Sequence, residues 1–309
     1  MEYIIEVKKL TKSFSKKTVV DCISFFVEKG SLFAFLGQNG AGKTTTINMI
    51  IGLLSQEEGE ILYQGSSDFK RFKNKIGVVF QNNILDDFLS VEENLLTYSA
   101  LYHNTKSLAQ EHYARVINLL SLDEVCKQQF RTLSGGQKRK AEIARALLTA
   151  PEILFLDEPT TGLDPKTRAD VWAVIDNLKN VDGMTIFLTT HYMEETALAD
   201  KVAIINKGKI VVTGSPLELK TEYSSDKLII TPYDAKTLES YLTKNELSYQ
   251  RNSSTYTLEI SNVSHSIDLL HSMKENIRFY EVTKGSMDDV FLNVVGEKLF
   301  RLCKLNMKK

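Results

Sequence analysis

Nine consecutive residues, Gly37-Gln38-Asn39-Gly40-Ala41-Gly42-Lys43-Thr44-Thr45, have the types and spacing to hold a row of phosphates. Their glycines let the backbone curl without Cβ clashes, so successive N–H groups can converge on phosphate oxygens. Lys43 brings a point charge for the outer phosphates, and the Thr44 hydroxyl brings an oxygen ligand for Mg²⁺. An apolar run, Leu32-Phe33-Ala34-Phe35-Leu36, enters this loop, and a helical pattern from Thr44 to Leu54 leaves it. In that strand–loop–helix order the positive end of the helix faces the anion.

Two further groups follow downstream. Leu133-Ser134-Gly135-Gly136-Gln137 precedes an amphipathic run ending near Leu148. Ser134 is suited to cap that helix, whose first N–H groups then face an anion. A capped helix start would by itself account for the motif. Its company changes the reading, because Ile153-Leu154-Phe155-Leu156 next delivers Asp157 and Glu158 at the end of an apolar strand. Adjacent strand residues point to opposite sides, so the acids can divide the work. Asp157 is expected to support the Mg²⁺ shell, and Glu158 to polarise an attacking water.

The elements needed to position these residues are legible in the hydrophobic pattern. Strands are expected at 4–8, 19–26, 31–36, 60–63 and 76–80, followed by a helical stretch over 90–150. A buried strand is expected at 153–156, a helix at 165–179 with Pro165 in its first turn, and a strand at 184–189. A hairpin is expected over 202–212, turning at Lys207-Gly208. Strands separated by helices imply a mainly parallel sheet with the phosphate site at its carboxyl end. From about Thr221 the texture becomes a small α+β pattern. Its strands are expected at 226–231, 255–260 and 277–282, and its helices at 235–242, 266–273 and 287–295.

Composition sets the bounds. Lys and Arg number 38 against 39 Asp and Glu, so no overall field argues for a nucleic-acid partner. Cys22, Cys126 and Cys303 are too scattered for a disulfide framework or metal cluster and fit a reducing cytosol. No apolar run approaches the ~20 residues that span a bilayer, and the start, Met1-Glu2-Tyr3, lacks a signal-peptide pattern. The final basic residues, Lys298, Arg301, Lys304, Lys308 and Lys309, read as a solvated tail.

In that order, the phosphate loop, Leu-Ser-Gly-Gly-Gln and the Asp-Glu strand resemble the ATP-binding cassette (ABC) transporter ATPases, over roughly residues 3–220. The resemblance adds roles. Gln81, after Val78-Val79-Phe80, takes the place of the family's Mg²⁺- and water-sensing glutamine. With Thr44 and Asp157 it completes the expected metal set. His191, after Thr189-Thr190, matches the switch histidine near the γ-phosphate, and with Glu158 and Gln81 makes up the expected catalytic set. Phe14 takes the place of the aromatic that stacks on adenine, where Tyr is commoner. Thr161-Gly162-Leu163-Asp164 is similar to the segment that crosses between two nucleotide sites. Departures are slight: Gln38 where Pro is frequent, Gly162 in the crossing segment, and Lys138 after Gln137. None removes a catalytic group.

What the resemblance implies is an α/β fold, a P-loop NTPase cassette with a mainly parallel core sheet, an antiparallel β subdomain and a helical subdomain at about 88–150. The cassette would occupy 1–220, with a small C-terminal α+β accessory domain at 221–309. ATP and Mg²⁺ are the implied cofactors, and hydrolysis of ATP to ADP and phosphate the implied activity. The implied assembly is head-to-tail, with a second copy or a related cassette. In it Ser134, Gly135, Gly136, Gln137 and Asp164 of one chain complete the ATP site of the other. The stretch from Asp86 to Leu95 is similar to the family's entry into the helical subdomain. Separate transmembrane permease subunits are therefore expected to dock near 81–94, at Asp87 and Val91, on the cytoplasmic face of the cell membrane.

Gly285-Ser286-Met287-Asp288-Asp289-Val290-Phe291-Leu292, with Leu217-Glu218-Leu219-Lys220 before it, resembles the extension of exporter-type cassettes. Those serve drug, antibiotic and peptide-toxin or bacteriocin export. An importer-type ATPase is the nearer rival. A non-transport cassette acting on ribosomes or nucleic acid is the more distant one. Such proteins normally carry two cassettes in one chain or long coiled coils, and this sequence shows neither.

Overall fold

The computed structural model describes residues 2–181, 183–260 and 263–296; the basic stretch from Lys298 and Cys303 lie outside them. The chain divides into two compact units, 1–215 and 216–309.

In the first unit β1 (Tyr3–Phe14) and β2 (Lys17–Glu28) form a long hairpin, and β3 (Leu32–Leu36) leads into α1 (Lys43–Ile50). Next come β4 (Glu58–Tyr63), the short α2 (Phe69–Phe72) and β5 (Ile76–Val79). Three helices follow, α3 (Val91–Tyr102), α4 (Lys106–Leu120) and α5 (Gly135–Leu147). The unit closes with β6 (Ile153–Asp157), α6 (Pro165–Asn180), β7 (Thr185–Thr190), β8 (Lys201–Asn206) and β9 (Lys209–Gly214).

A six-stranded sheet of order β5-β6-β7-β3-β8-β9 is parallel except for the β8–β9 hairpin. Every residue of β3, β6 and β7 is buried. That explains why these strands read as unbroken apolar runs rather than as alternations. An antiparallel sheet of order β2-β1-β4 lies beside it. Phe25 of β2 joins the two sheets, its ring 5.3 Å from that of Phe33, and Phe33 in turn lies 5.3 Å from Phe187. The sequence pattern stops β1 at residue 8, yet the strand runs on to Phe14. Register shifts around Lys9, which has φ 51°, absorb the break in alternation.

The helical region opens on a capping box. Ser90 accepts from the Glu93 N–H, and the Glu93 carboxylate accepts from the Ser90 N–H. Asn94, itself buried, clamps the preceding loop by accepting from Asp86 N at 2.8 Å and donating to Asp86 O at 2.9 Å. Val91 is fully buried. The expectation that it presents a docking surface is therefore corrected: its side chain packs in the helical region, while Asp87 and Phe88 stay exposed.

The second unit contains α7 (Pro216–Tyr223), β10 (Asp226–Pro232), α8 (Ala235–Lys244) and β11 (Tyr249–Asn252). It continues through β12 (Thr255–Ile260), α9 (Val263–Ser272), β13 (Ile277–Thr283) and α10 (Met287–Val295). Its antiparallel sheet has the order β11-β12-β10-β13. Leu228, Ile230, Tyr256 and Leu258 pack on one face against Leu238, Leu242 and Leu269. The sequence pattern missed β11, Tyr-Gln-Arg-Asn, because all of it is exposed and only its ladder to β12 makes it a strand.

Candidate nucleotide site

The parallel sheet brings three strand ends together. β3 ends in the phosphate loop, β6 ends at Asp157, and β7 ends at Thr190 just before His191. Gly42, at φ 110°, starts α1, and a Cβ there would lie 2.7 Å from Val19 O. Only glycine fits that turn.

Lys43 is buried with its ammonium held by the loop itself, donating to Gly37 O at 2.8 Å and Gln38 O at 3.2 Å. The same nitrogen lies 3.0 Å from Glu158 Oε1. The other Glu158 oxygen collects the rest of the site. It accepts from Gln81 Nε2 at 3.3 Å and Thr161 Oγ1 at 3.1 Å, and His191 Nδ1 stands 3.2 Å away. Burial pushes the Glu158 carboxyl upward, but the Lys43 hydrogen bond and charge, His191 and Thr161 outweigh it and hold it below the usual range. Glu158 also takes a left-handed backbone, φ 47°. Thr189 supports that conformation, since both its carbonyl and its hydroxyl accept from Glu158 N at 3.1 Å.

Asp157 Oδ1 accepts from Thr189 Oγ1 at 2.5 Å and from the exposed Thr44 hydroxyl at 3.3 Å. A hydroxyl paired with one carboxylate oxygen, beside the phosphate loop, is the hard-oxygen donor set that Mg²⁺ takes together with nucleotide oxygens. No cluster of three or more His, Cys, Asp or Glu suited to a metal occurs among the described residues. The fit is thus to a phosphate-bound ion rather than to a self-contained metal cage.

A second cluster forms around the start of α5. Ser134 caps the helix, its hydroxyl accepting from Gln137 N at 3.3 Å while Gln137 Oε1 accepts from Ser134 N at 2.9 Å. Asp164 caps α6, and bonds from Thr167 and Lys166 hold its carboxyl below the usual range. The two helix starts touch: a Cβ on Gly136 would lie 2.4 Å from Thr167 Cγ2. Phe14 stands at the end of β1, 47% exposed, with the Lys12 ammonium 5.7 Å from its ring centre. The structure therefore gathers Lys43, Thr44, Gln81, Asp157, Glu158 and His191 in one place and Ser134–Gln137 with Asp164 in another.

Sequence reasoning gave no role to Thr189 or Arg139, and placed Thr161 in the crossing segment rather than on Glu158. The buried Arg139 guanidinium, on α5, donates to Phe80 O at 2.6 Å and Asp157 O at 3.1 Å. One side chain thus holds the backbone just before Gln81 and just before Glu158. Burial draws its pKa down to about 10, against the opposing charges of Glu142 and Asp157. A threonine at a strand end or an arginine in an amphipathic helix carries no distinguishing signal of its own.

This fold and this cluster define a P-loop ATPase cassette. A family model described as ABC transporter matches residues 20–161. The linearmycin resistance ATP-binding protein LnrL of Bacillus subtilis is 33% identical over 96% of this chain and 99% of its own. The Nod factor export ATP-binding protein I of Ralstonia nicotianae is 32% identical over 96% of this chain and 95% of its own. The fold of the dimeric cassette MJ0796, in a post-hydrolysis state bound to ADP and Pi, superposes with a TM-score of 0.61. That match covers 68% of this chain and 98% of MJ0796 at 23% identity. The chain belongs to the ATP-binding, ATP-hydrolysing subunits of the ABC transporter family. No helix among the described residues is long and apolar enough to cross a membrane.

Proposed function

We propose that this chain powers export of a drug, antibiotic or peptide toxin through separate permease subunits at the cytoplasmic face of the membrane. The convergence of Lys43, Gln81 and His191 on the Glu158 carboxylate carries the catalytic part of this reading. Relatives concerned with antibiotic resistance and with export support its direction.

Residues 37–45 wrap the triphosphate, with Lys43 on its outer charges and Phe14 against the base. Thr44 and Asp157, joined by Gln81, hold Mg²⁺, which supplies charge neutralisation on the phosphates when bound. Glu158 orients water and takes its proton, while His191 contacts the departing phosphate. Phosphate binding requires Lys43 to exchange its Glu158 partner for the nucleotide, which frees the carboxylate for the water. Ser134, Gly135, Gly136, Gln137 and Asp164 serve the ATP of a second cassette, so that ATP closes the pair and ADP lets it part.

For the permease, the reading favours a cavity of about 550 Å³ in the first unit, lined by Leu53, Phe69, Phe80, Leu101, Tyr102 and His103 among others. Leu53 and Leu101 are 65% and 74% exposed, an apolar rim suited to a short helix. Co-expression with candidate membrane subunits, then membrane fractionation, tests the proposal. Parental chain should reach the membrane with them and Leu101→Glu should not, at equal ATP binding. Membrane arrival without permeases, or co-purification with ribosomes, defeats the transport reading.

A further inference from the structure

Thr160 lies just beyond β6 and Thr190 ends β7, yet their hydroxyls meet on one carboxylate. Glu195 sits in the helical turn Met193–Leu198 after His191 and is 3% exposed. Its Oε2 accepts from Thr190 Oγ1 at 2.5 Å, and its Oε1 accepts from Thr160 Oγ1 and from Trp172 Nε1, the latter at 3.3 Å. These donors are neutral. A carboxylate taken out of water gains less from them than from a cation, but an apolar side chain in its place would leave two threonine hydroxyls and an indole N–H without that acceptor. What the carboxylate adds is position.

Each donor leads to a working segment. Thr190 Oγ1 in turn accepts from Tyr192 N at 2.9 Å, so the backbone is held on both sides of His191. Thr160 lies two residues after Glu158, and its neighbour Thr161 donates to Glu158 Oε2 at 3.1 Å. Trp172 belongs to α6, whose N-cap is Asp164. Glu195 reaches none of the reacting positions itself.

We propose that Glu195 is a positioning residue for hydrolysis: it pins the segments carrying His191 and Glu158 so that Nδ1 and Oε2 keep their 3.2 Å separation. This rests on the hydrolytic roles given to those two residues. Removing the acceptor leaves the Thr160 hydroxyl, the Thr190 hydroxyl and the indole N–H competing for space rather than fixed. Glu195→Gln preserves most of the network. Its carbonyl oxygen can take the two Oε1 donors, and its amide can donate to the Thr190 hydroxyl, which has a second lone pair.

Steady-state ATPase measurements on the full chain decide the matter. Glu195→Ala should lower kcat by about 10²-fold, the scale of a misplaced catalytic group, with the KM for ATP within about twofold. Glu195→Gln should recover most of the rate. In a His191→Ala background the added loss from Glu195→Ala should shrink sharply, because residues acting as a unit are non-additive. Thr190→Val, which removes one hydroxyl, should reduce kcat with a melting temperature near the parent's. That keeps the idea testable even where Glu195→Ala does not fold. Parental kcat in Glu195→Ala or Thr190→Val overturns the proposal. So do equal losses in both backgrounds that track a lowered melting temperature, since those describe packing. Failure of the underlying reading looks different: Glu158→Gln would then hydrolyse ATP at the parental rate.

Discussion

The two units use charge in opposite ways. In the first, the Lys43–Glu158 pair is almost wholly removed from solvent, with side chains 4% and 6% exposed. In the second, the Arg251–Glu239 pair is 52% and 32% exposed on the rim of an antiparallel sheet. The difference follows from the sheets. A parallel sheet covered on both faces can hold polar ends in a low-dielectric pocket, where each is costly unless partnered and therefore fixed. A sheet with one solvated face leaves its charges in water, where they contribute solubility and little rigidity. Chemistry belongs to the first arrangement. The second exposes Phe279, Tyr280 and Val282 along β13, a surface rather than a site.

The sharpest test of that contrast is Glu158→Gln. It should lower kcat by about 10²–10⁴-fold, as expected for a positioned acid–base group, while ATP still binds and an ATP-bound dimer accumulates in light scattering. A mutant hydrolysing at the parental rate, or monomeric at saturating ATP, breaks it. Next in size is Leu228→Ala in the second unit's core, expected to cost about 2–5 kcal/mol of that unit's stability. Thermal unfolding together with an ATPase assay checks it. A large loss of ATP affinity would show that the second unit is not confined to support.

Lys43→Ala should cost roughly 1.5–3 kcal/mol of ATP binding, the worth of a charge-assisted contact. Equal nucleotide affinity in titration calorimetry would remove Lys43 from the phosphate site. Acid provides a gentler probe. Because the Glu158 carboxyl is held below its ordinary value, its contribution to stability is complete above that value and is lost as pH falls through the lowered one. The melting-temperature difference between the parent and Glu158→Gln should therefore vanish in acid; a difference that grows there contradicts the buried pair. Smallest of all, Arg251→Ala should change stability by only about 0.2–1 kcal/mol, as exposed pairs do. A larger effect in denaturant titration would erase the contrast between the units.

Much of the candidate site was legible because its motifs are local. Gly37–Thr45 is a continuous loop, Asp157-Glu158 a dipeptide, and Ser134–Gln137 a helix start. Each also carries residue types whose function depends on near neighbours. The exposed polar strand β11 was not legible, since without alternation only its partner β12 makes it a strand. Val91 illustrates the opposite failure: its motif suggested a docking residue, but its side chain is fully buried.

By itself the sequence determined the order of most elements and singled out the candidate phosphate-binding, acid and switch residues, because hydrophobic period and short-range backbone chemistry are written along the chain. Only tertiary structure decided which atoms meet. Glu158 gathers Lys43, Gln81, Thr161 and His191 across separations of up to 115 positions, and Arg139 and Glu195 hold that cluster from behind. The parallel register of β3, β6 and β7 brings those ends together. Register is a property of strands packed side by side, and no single segment contains it.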